Sequence, residues 1–345
     1  MIIVTMFELI NKTRFVANLL PTMELDGAQG IMVLVKGTFG ILDAGRLQLG
    51  DEQVPLTLAD EYNDDPNSSS LRYASDLVPE KRGTDVVLNG TAYAPKGRAK
   101  VVDVTVEAGP LKKTVRVFGD RRWNKFFGMI SISSPLPFSS TPLIYERAFG
   151  GVDQTHKNTT RWAAEERNPV GTGLIANKAR EDLEEISLPN LEDPSALITS
   201  YQDRPKPAGF GFIAPGWKPR LEYAGTYDEA WTENRFPLLP ADFDSRFHNS
   251  AHPDLISKDF FQGGEHVGVT NASRKGILTF DLPNLEVNAA FYIDGRVTKQ
   301  VCDLDTVIIE PDEERVLLIW RAKVRCHRKL KYVTGAKVMS QDRGG

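Results

Sequence analysis

The chain has 345 residues, a formal net charge of −4 and 41% hydrophobic residues, which is the composition of a folded globular protein. The slightly acidic balance gives no indication of the strongly basic surface of a nucleic-acid-binding protein, so we expect no nucleic-acid partner. Two cysteines, Cys302 and Cys326, are too few for a secreted disulfide framework and favour a reducing compartment. No stretch approaches the roughly 18 apolar residues of a membrane helix, and residues 1–8 lack the basic segment of a signal peptide. We therefore expect a cytoplasmic protein without a membrane partner.

The N-terminal third is dominated by patterns typical of β-strands. Ile31–Phe39 is rich in β-branched residues and begins with a continuous apolar run, which predicts a strand buried on both faces. Asp85–Tyr93 predicts another strand. Lys100–Glu107 alternates between apolar and polar residues, Gly109 and Pro110 interrupt the pattern, and Leu111–Phe118 resumes it. These two segments predict a β-hairpin with a short loop.

The middle of the chain, Ser134–Gly264, is rich in Pro, Gly and aromatic residues and predicts long ordered loops. A flexible linker would lack its large aromatic side chains, which must be buried somewhere. Helix signals are few. Ala176–Ile186 is the clearest helical segment, and short helices are predicted at Ala59–Tyr62, Thr160–Glu166 and Asp228–Asn234.

The C-terminal third returns to strand patterns, at Ile277–Leu282, Ala289–Asp294, Thr306–Glu310 and Arg315–Cys326. The last of these is the longest. Its apolar face includes Trp320, and its other face carries the charged side chains of Arg321, Lys323 and Arg325. That alternation predicts a strand with one face in water, as in an antiparallel sheet.

Together these patterns predict a mainly β protein, with antiparallel sheets packed as sandwiches, long ordered loops and few short helices. We expect an N-terminal β-sheet region over 1–130, a loop-rich central region over 131–264, and C-terminal strands over 265–345 that pack on the rest. The C-terminal strands either form a second sheet or complete the first.

The histidines offer the strongest hint of a metal site. His248 and His252 are four residues apart, and His266, Asp242 or Asp244 would add ligands suited to zinc. However, a proline follows His252 directly and disfavours the helical geometry that would bring the two histidines to one face. We predict no bound metal and no cofactor.

Three carboxylates carry the enzymatic alternative. Asp242 and Asp244 form an Asp-x-Asp pair of the kind that holds a divalent ion in some glycosyltransferases, and Glu146 is a candidate acid or base for glycoside hydrolysis. In the competing interpretation, the aspartates bind backbone N–H groups or pair with Arg246. The chain has no Gly-x-Ser-x-Gly elbow, no Walker-type loop and no Cys-x-x-Cys motif, so we predict no catalytic residues.

The aromatic and arginine side chains of the central region suit protein recognition, because Trp, Tyr and Arg dominate interface hot spots. Trp217, Arg220, Tyr227 and Trp231 are our candidate partner-binding residues. The alternative is that the tryptophans pin long loops as members of a second core, which is the commonest use of Trp. The sequence leaves these two possibilities open.

Several segments of the chain combine glycine, aromatic residues and arginine in distinctive motifs: Gly119–Trp123, Tyr145–Gly151, Asn168–Gly173, Trp217–Arg220, Gly225–Trp231 and Pro240–Asp244. With these motifs the chain resembles a bacterial family catalogued as a domain of unknown function (the "two-one-six-nine" family). The resemblance extends from about Lys36 to Arg321. Members of that family are associated with type VI secretion clusters, where they act as adaptors or chaperones that load toxic effectors onto the secretion spike.

The resemblance implies a non-enzymatic adaptor whose partners are an effector toxin and the spike protein. The alternative is a carbohydrate-active or other hydrolytic enzyme that uses Asp242, Asp244 and Glu146. A cluster of these three carboxylates in one cleft would favour the enzyme. Carboxylates scattered among arginine partners would favour the adaptor.

Overall fold

The computed structural model describes residues 7–177, 183–184, 186–327 and 330–343. Strands account for 43% of the structure and helical residues for about 10%. The sheets are mostly antiparallel, so the prediction of a mainly β protein is confirmed. Among the described residues, no helix has the length and apolarity needed to cross a bilayer.

The strands and helices are numbered along the chain. The first twelve strands are β1 Glu8–Asn11, β2 Val16–Met23, β3 Gln29–Ile41, β4 Leu47–Leu49, β5 Glu61–Tyr62, β6 Leu71–Tyr73, β7 Asp85–Leu88, β8 Thr91–Tyr93, β9 Val101–Ala108, β10 Leu111–Phe118, β11 Trp123–Phe126 and β12 Met129–Ile132. The central region contains β13 Ser140–Pro142, β14 Phe149–Gly150, β15 Val152–Asp153, β16 Ala163–Ala164, β17 Thr172–Gly173, β18 Leu191–Glu192 and the α-helix α1 Glu229–Asn234.

The remaining strands are β19 His266–Thr270, β20 Ile277–Asp281, β21 Leu285–Ile293, β22 Arg296–Val301, β23 Asp303–Glu310, β24 Arg315–His327 and β25 Val333–Asp342. Short 3-10 helices connect them at Asp43–Gly45, Pro95–Gly97, Tyr145–Arg147, Thr159–Arg161, Arg220–Tyr223, Ser245–His248, Pro253–Leu255, Pro311–Glu313 and Leu330–Tyr332.

The main sheet joins the two ends of the chain. Its strand order is β2-β3-β24-β23-β7, and β4 pairs with β3 outside this path. From Gly30 to Phe39 every residue of β3 is buried, which confirms the prediction of a strand covered on both faces. β23 and β24 therefore complete the sheet that the N-terminal strands begin.

Two further sheets flank this one. The first has the order β18-β10-β9-β19-β20, and its β9–β10 hairpin, closed by the pair Ala108 and Leu111, is the hairpin that the sequence predicts. The second has the order β1-β25-β21-β22 and is built mainly from the C-terminal strands. A single hydrophobic core contains residues from all three sheets, which is the layered arrangement that buries one face of each sheet.

The burial of side chains on strand β24 differs in part from the prediction. Trp320 is 2% exposed and stacks on Phe15 with ring centroids 5.4 Å apart, as its apolar face predicts. Arg321, however, is also buried rather than solvated. The segment that contains Asp76 and Val78 covers this side of β24, and its carbonyls accept from Nη1 of Arg321. Asp305 compensates the Arg321 charge through a 2.6 Å hydrogen bond to Nε. The prediction of a strand with one face in water is therefore wrong at Arg321 and correct only near the exposed Arg325.

The central region is held to the main sheet by buried polar contacts. Asp85, at the start of β7, accepts hydrogen bonds from Nδ2 of Asn249 at 2.9 Å and from the backbone N–H of Ser250 at 2.8 Å. Lys81 completes this cluster with a 2.7 Å ion pair to Asp85. The long loops are thus ordered because their polar groups have partners in the sheet.

Of the predicted short helices, Asp228–Asn234 forms α1, Thr160–Glu166 contains only part of a 3-10 turn, and Ala59–Tyr62 instead ends in β5. Most of the predicted helix Ala176–Ile186 lies outside the described residues. Leu183 within it is buried and belongs to a second, smaller hydrophobic cluster around Trp123.

Candidate functional site

Two of the four candidate partner-binding residues belong to the interior. Trp217 is 7% exposed and meets the ring of Tyr145 edge-on, with centroids 5.8 Å apart. Arg220 is also buried. Its Nε donates to the Phe247 carbonyl at 3.0 Å and its Nη1 to the Ile213 carbonyl at 2.6 Å. Trp217 is therefore a core residue and not part of an exposed partner-binding surface.

The other two candidates lie at the surface and form part of an aromatic patch, defined here as Tyr227, Trp231 and Phe236. Tyr227 is 54% exposed and Phe236 is 67% exposed. The ring of Trp231 lies between them, with centroids 4.8 Å from Tyr227 and 5.6 Å from Phe236. Three adjoining aromatic rings at the surface are a typical anchor for a protein partner.

Local structure explains why this patch is ordered. The Asp228 side chain accepts a hydrogen bond from the Trp231 backbone N–H and so caps the start of α1. The indole N–H of Trp231 donates to the Leu238 carbonyl at 2.9 Å. Gly225 has a φ of +80°, and an added Cβ would lie 2.8 Å from Pro240, so only glycine allows the chain to turn here.

The aromatic patch adjoins the turn between β2 and β3. The Arg235 side chain donates to the carbonyl of Leu25 in that turn. Met23 and Leu25 are 54% and 38% exposed, so apolar side chains continue from α1 toward the main sheet. The combined surface is larger than the three rings alone.

A second apolar surface was not predicted from the sequence. It is the hairpin tip, defined as Phe126, Phe127 and Met129, which are 67%, 90% and 65% exposed. Phe126 pairs with Met129 across β11 and β12. The two loop residues between them, Phe127 and Gly128, both have positive φ, as in the two-residue turns that favour hairpins. The sequence signal was a pair of phenylalanines directly before the turn glycine, where polar residues are usual.

The three carboxylates of the enzymatic alternative are each bound by neighbouring groups. Asp242 accepts from the backbone N–H of Thr226 at 3.0 Å and from its hydroxyl at 2.7 Å. Asp244 is bound by Arg246, through Nε at 2.8 Å. These contacts confirm the structural interpretation of the Asp-x-Asp pair, and they hold the pKa of both aspartates below the usual value.

Glu146 has a different set of partners. Its Oε1 accepts from the backbone N–H of Ser70 and its Oε2 from the Ser70 hydroxyl, both at 2.7 Å. The carboxylate therefore fastens the loop before β6 to the 3-10 helix that contains it. Its partner is therefore a serine and not an arginine.

The histidines are placed differently from one another. His248 ends the 3-10 helix Ser245–His248, and His252 precedes the next one. Both are buried, whereas His266 is exposed and pairs with Asp281 at 2.7 Å. Burial lowers the pKa of His248 to about 4. Among the residues that the structure describes, no group of three or more His, Cys, Asp or Glu side chains is arranged to hold a metal ion.

Cys302 and Cys326 are both buried free thiols. Burial raises the pKa of the Cys302 thiol to about 12, so that thiol stays protonated and unreactive at neutral pH. Cys302 and Cys326 thus act as small hydrophobic side chains in the core.

Residues 26–321 match the family model described as "Uncharacterized protein conserved in bacteria (DUF2169)". A search of curated proteins and a search of solved structures returned no match. The matched segment runs from the turn before β3 to the middle of β24, so it includes the main sheet except for β2 and the end of β24, the central loops and both apolar surfaces. The chain therefore belongs to this bacterial family, DUF2169.

Proposed function

We propose that this protein is a cytoplasmic, non-enzymatic adaptor of a type VI secretion system, which binds an effector toxin and presents it to the spike protein. The single observation that supports it best is the pair of ordered, exposed apolar surfaces. An adaptor must hold two partners together, so it needs two such surfaces, each able to bury about 800 Å².

The two surfaces belong to different parts of the fold. The aromatic patch lies on α1 and borders the β2–β3 turn of the main sheet. The hairpin tip projects from β11 and β12, whose inner residues pack on the smaller hydrophobic cluster around Trp123. The two surfaces are therefore formed by different segments of the chain, as the binding of two partners requires.

Both surfaces have the chemistry of interface anchors. Aromatic side chains and methionine are enriched at the centres of protein interfaces, and a few such residues supply most of the binding energy. The enzymatic alternative gains no support from the contacts of its carboxylates, since Asp242, Asp244 and Glu146 are each engaged by neighbouring groups.

The proposal is tested by affinity purification of the tagged protein from its native host, followed by mass spectrometry. We expect the wild-type protein to retain both an effector and the spike protein. Tyr227→Ala combined with Phe236→Ala removes the exposed rings of the aromatic patch. Phe126→Ser combined with Phe127→Asn removes the hairpin tip, and asparagine tolerates the positive φ at position 127.

Each double variant should lose one partner and retain the other, with an unchanged melting temperature. Leu58→Ala is the matched control, because Leu58 is an exposed apolar residue (62%) outside both surfaces. Retention of both partners by both double variants would contradict the assignment of these surfaces. Recovery of the wild-type protein with neither partner would contradict the adaptor role itself.

A further inference from the structure

A cleft of about 500 Å³ lies between the central loops and the segment before β7, within the size range of ligand sites. Its lining includes five positively charged side chains, and none of its described lining residues is acidic. We call it the basic cleft and define it by its cations: Arg82, Lys206, Arg220, Arg246 and Lys258. It stands out because the whole chain is slightly acidic, with 42 basic and 46 acidic residues.

Most of these cations have no carboxylate bonded directly to them. Arg246 is paired with Asp244, whereas the other four cations form no ion pair with a carboxylate in the described part of the chain. Lys206 and Lys258 are exposed. Like charges that share a concave, partly desolvated surface raise the local potential and attract an anionic partner.

Arg220 adds an independent observation. It is 8% exposed, and burial lowers the pKa of its guanidinium, although the charges of Asp85 and Asp60 act in the opposite direction. Its Nε and Nη1 groups donate to two backbone carbonyls, and its Nη2 group donates to no group of the described residues. Asp85 and Asp60 thus offset part of this buried charge without a direct bond, and an incoming carboxylate would bond to the guanidinium itself.

The shape and lining of the basic cleft indicate the kind of anion. Apolar side chains, among them Ile213, Pro219 and Ile256, line it together with the cations. A second cleft of about 410 Å³ adjoins it and shares Lys206, Ile213, Pro219 and Pro253 with it, and the acidic side chains of Asp193, Glu222 and Asp254 also line that second cleft. An extended peptide can place its carboxylates in the basic cleft and uncharged residues in the second cleft, whereas a compact anion would use the basic cleft alone. Acidic motifs are recognised in this way by arginine and lysine clusters.

We propose that the basic cleft binds an acidic peptide segment of a partner protein, whose carboxylates pair with Lys206, Lys258 and Arg220. The inference rests on the proposed adaptor function for the owner of that segment, which would be the effector or the spike protein. The binding chemistry itself is a property of this chain and is measured without either partner.

The test uses the purified full chain and a short fluorescein-labelled peptide of alternating glutamate and leucine, with binding followed by fluorescence anisotropy. We expect this peptide to bind and its glutamine–leucine analogue to bind at least about tenfold more weakly. Raising the salt concentration from about 0.1 M to about 1 M should weaken binding, because the Debye length falls from about 10 Å to about 3 Å.

The variant Lys206→Glu combined with Lys258→Glu should weaken peptide binding by at least about tenfold, since like charges now face the carboxylates. Both positions are exposed, so the fold should be retained, and a circular dichroism melt checks this. The charge-matched control is Lys12→Glu combined with Lys299→Glu, at two exposed positions outside the cleft. It should bind the peptide as the wild type does.

Three results would overturn the proposal: no binding of the acidic peptide, equal binding of the glutamine analogue, or equal loss in the control variant. Tighter binding of inorganic pyrophosphate or of single-stranded DNA than of the peptide would also overturn it and assign the cleft to phosphate groups. None of these results would affect the adaptor role, which depends on recovery of the effector and spike protein from the host.

Discussion

Tyr145 offers a sharp test of how the central loops are packed. Its side chain is buried, 2% exposed, and its hydroxyl has no hydrogen-bond partner among the residues that the structure describes. The ring contacts Trp217 on its edge and lies against the backbone at Gly209 and Gly211. Only the ring therefore contributes favourable contacts, while the hydroxyl has lost its water without gaining a partner.

Tyr145→Phe keeps the ring and removes the hydroxyl. An unsatisfied buried polar group costs about 1–3 kcal/mol. The small space left by one oxygen costs well below 1 kcal/mol at about 24 cal/mol per Å³. We therefore expect the variant to be as stable as the wild type or more stable by about 1–2 kcal/mol, measured by urea denaturation.

Two glycine variants complete this test. In Gly209→Ala the new Cβ would lie 2.7 Å from Cε1 of Tyr145 and 2.8 Å from Cζ, and this overpacking should cost about 1–3 kcal/mol. Gly216→Ala is the control, because nothing lies within 4 Å of a Cβ added there. A loss of more than about 1 kcal/mol in Tyr145→Phe would contradict this prediction, because it would show that the hydroxyl has a partner.

Other predictions concern the core and the response to pH. Trp320→Ala should lower the free energy of unfolding by about 3–5 kcal/mol. A loss below about 1 kcal/mol would show that the side of β24 that carries Trp320 is not part of the core. Because burial lowers the pKa of His248 from 6.5 to about 4, the unfolded chain binds a proton in this pH range that the folded chain does not. The contribution of His248 to the free energy of unfolding should therefore be fully present above about pH 6.5. It should fall by roughly 3 kcal/mol as the pH is lowered to about 4. In His248→Gln the urea midpoint should fall less steeply over this range, and an unchanged slope would show that His248 is not the group responsible.

Strand patterns at the two ends of the chain were predictable because they depend on local alternation and on β-branched residues. Ile31–Phe39 and the hairpin of β9 and β10 are examples. The solvation of β24 was not predictable, because the burial of Arg321 depends on partners distant in the sequence. Those partners are Asp305 on the neighbouring strand and the Asp76 carbonyl, 245 residues away.

The candidate surface was predictable only in part for a similar reason. Trp217 and Trp231 occur in motifs of the same style, yet Trp217 is buried and Trp231 lies in the exposed patch. What separates them is the surface against which each ring packs, which depends on tertiary contacts such as that between Trp217 and Tyr145. The hairpin tip, by contrast, had a local signal in Phe126 and Phe127 before Gly128.

The basic cleft could not be seen in the sequence at all. Its cations come from segments as distant as Arg82 and Lys258, and their spacing along the chain carries no pattern. The net charge of −4 is also opposite in sign to the charge of the cleft. Only the folding of the central loops against β7 gathers these side chains around one cleft.

The most direct measurement of the adaptor role is effector secretion by a host strain that lacks this protein. The strain is complemented with the wild type, with Tyr227→Ala combined with Phe236→Ala, or with Leu58→Ala. We expect secretion to fail in the deletion strain, to be restored by the wild type and by Leu58→Ala, and to stay low with the aromatic-patch variant at equal protein level. Unchanged effector levels and secretion in the deletion strain would show that the protein is not the adaptor.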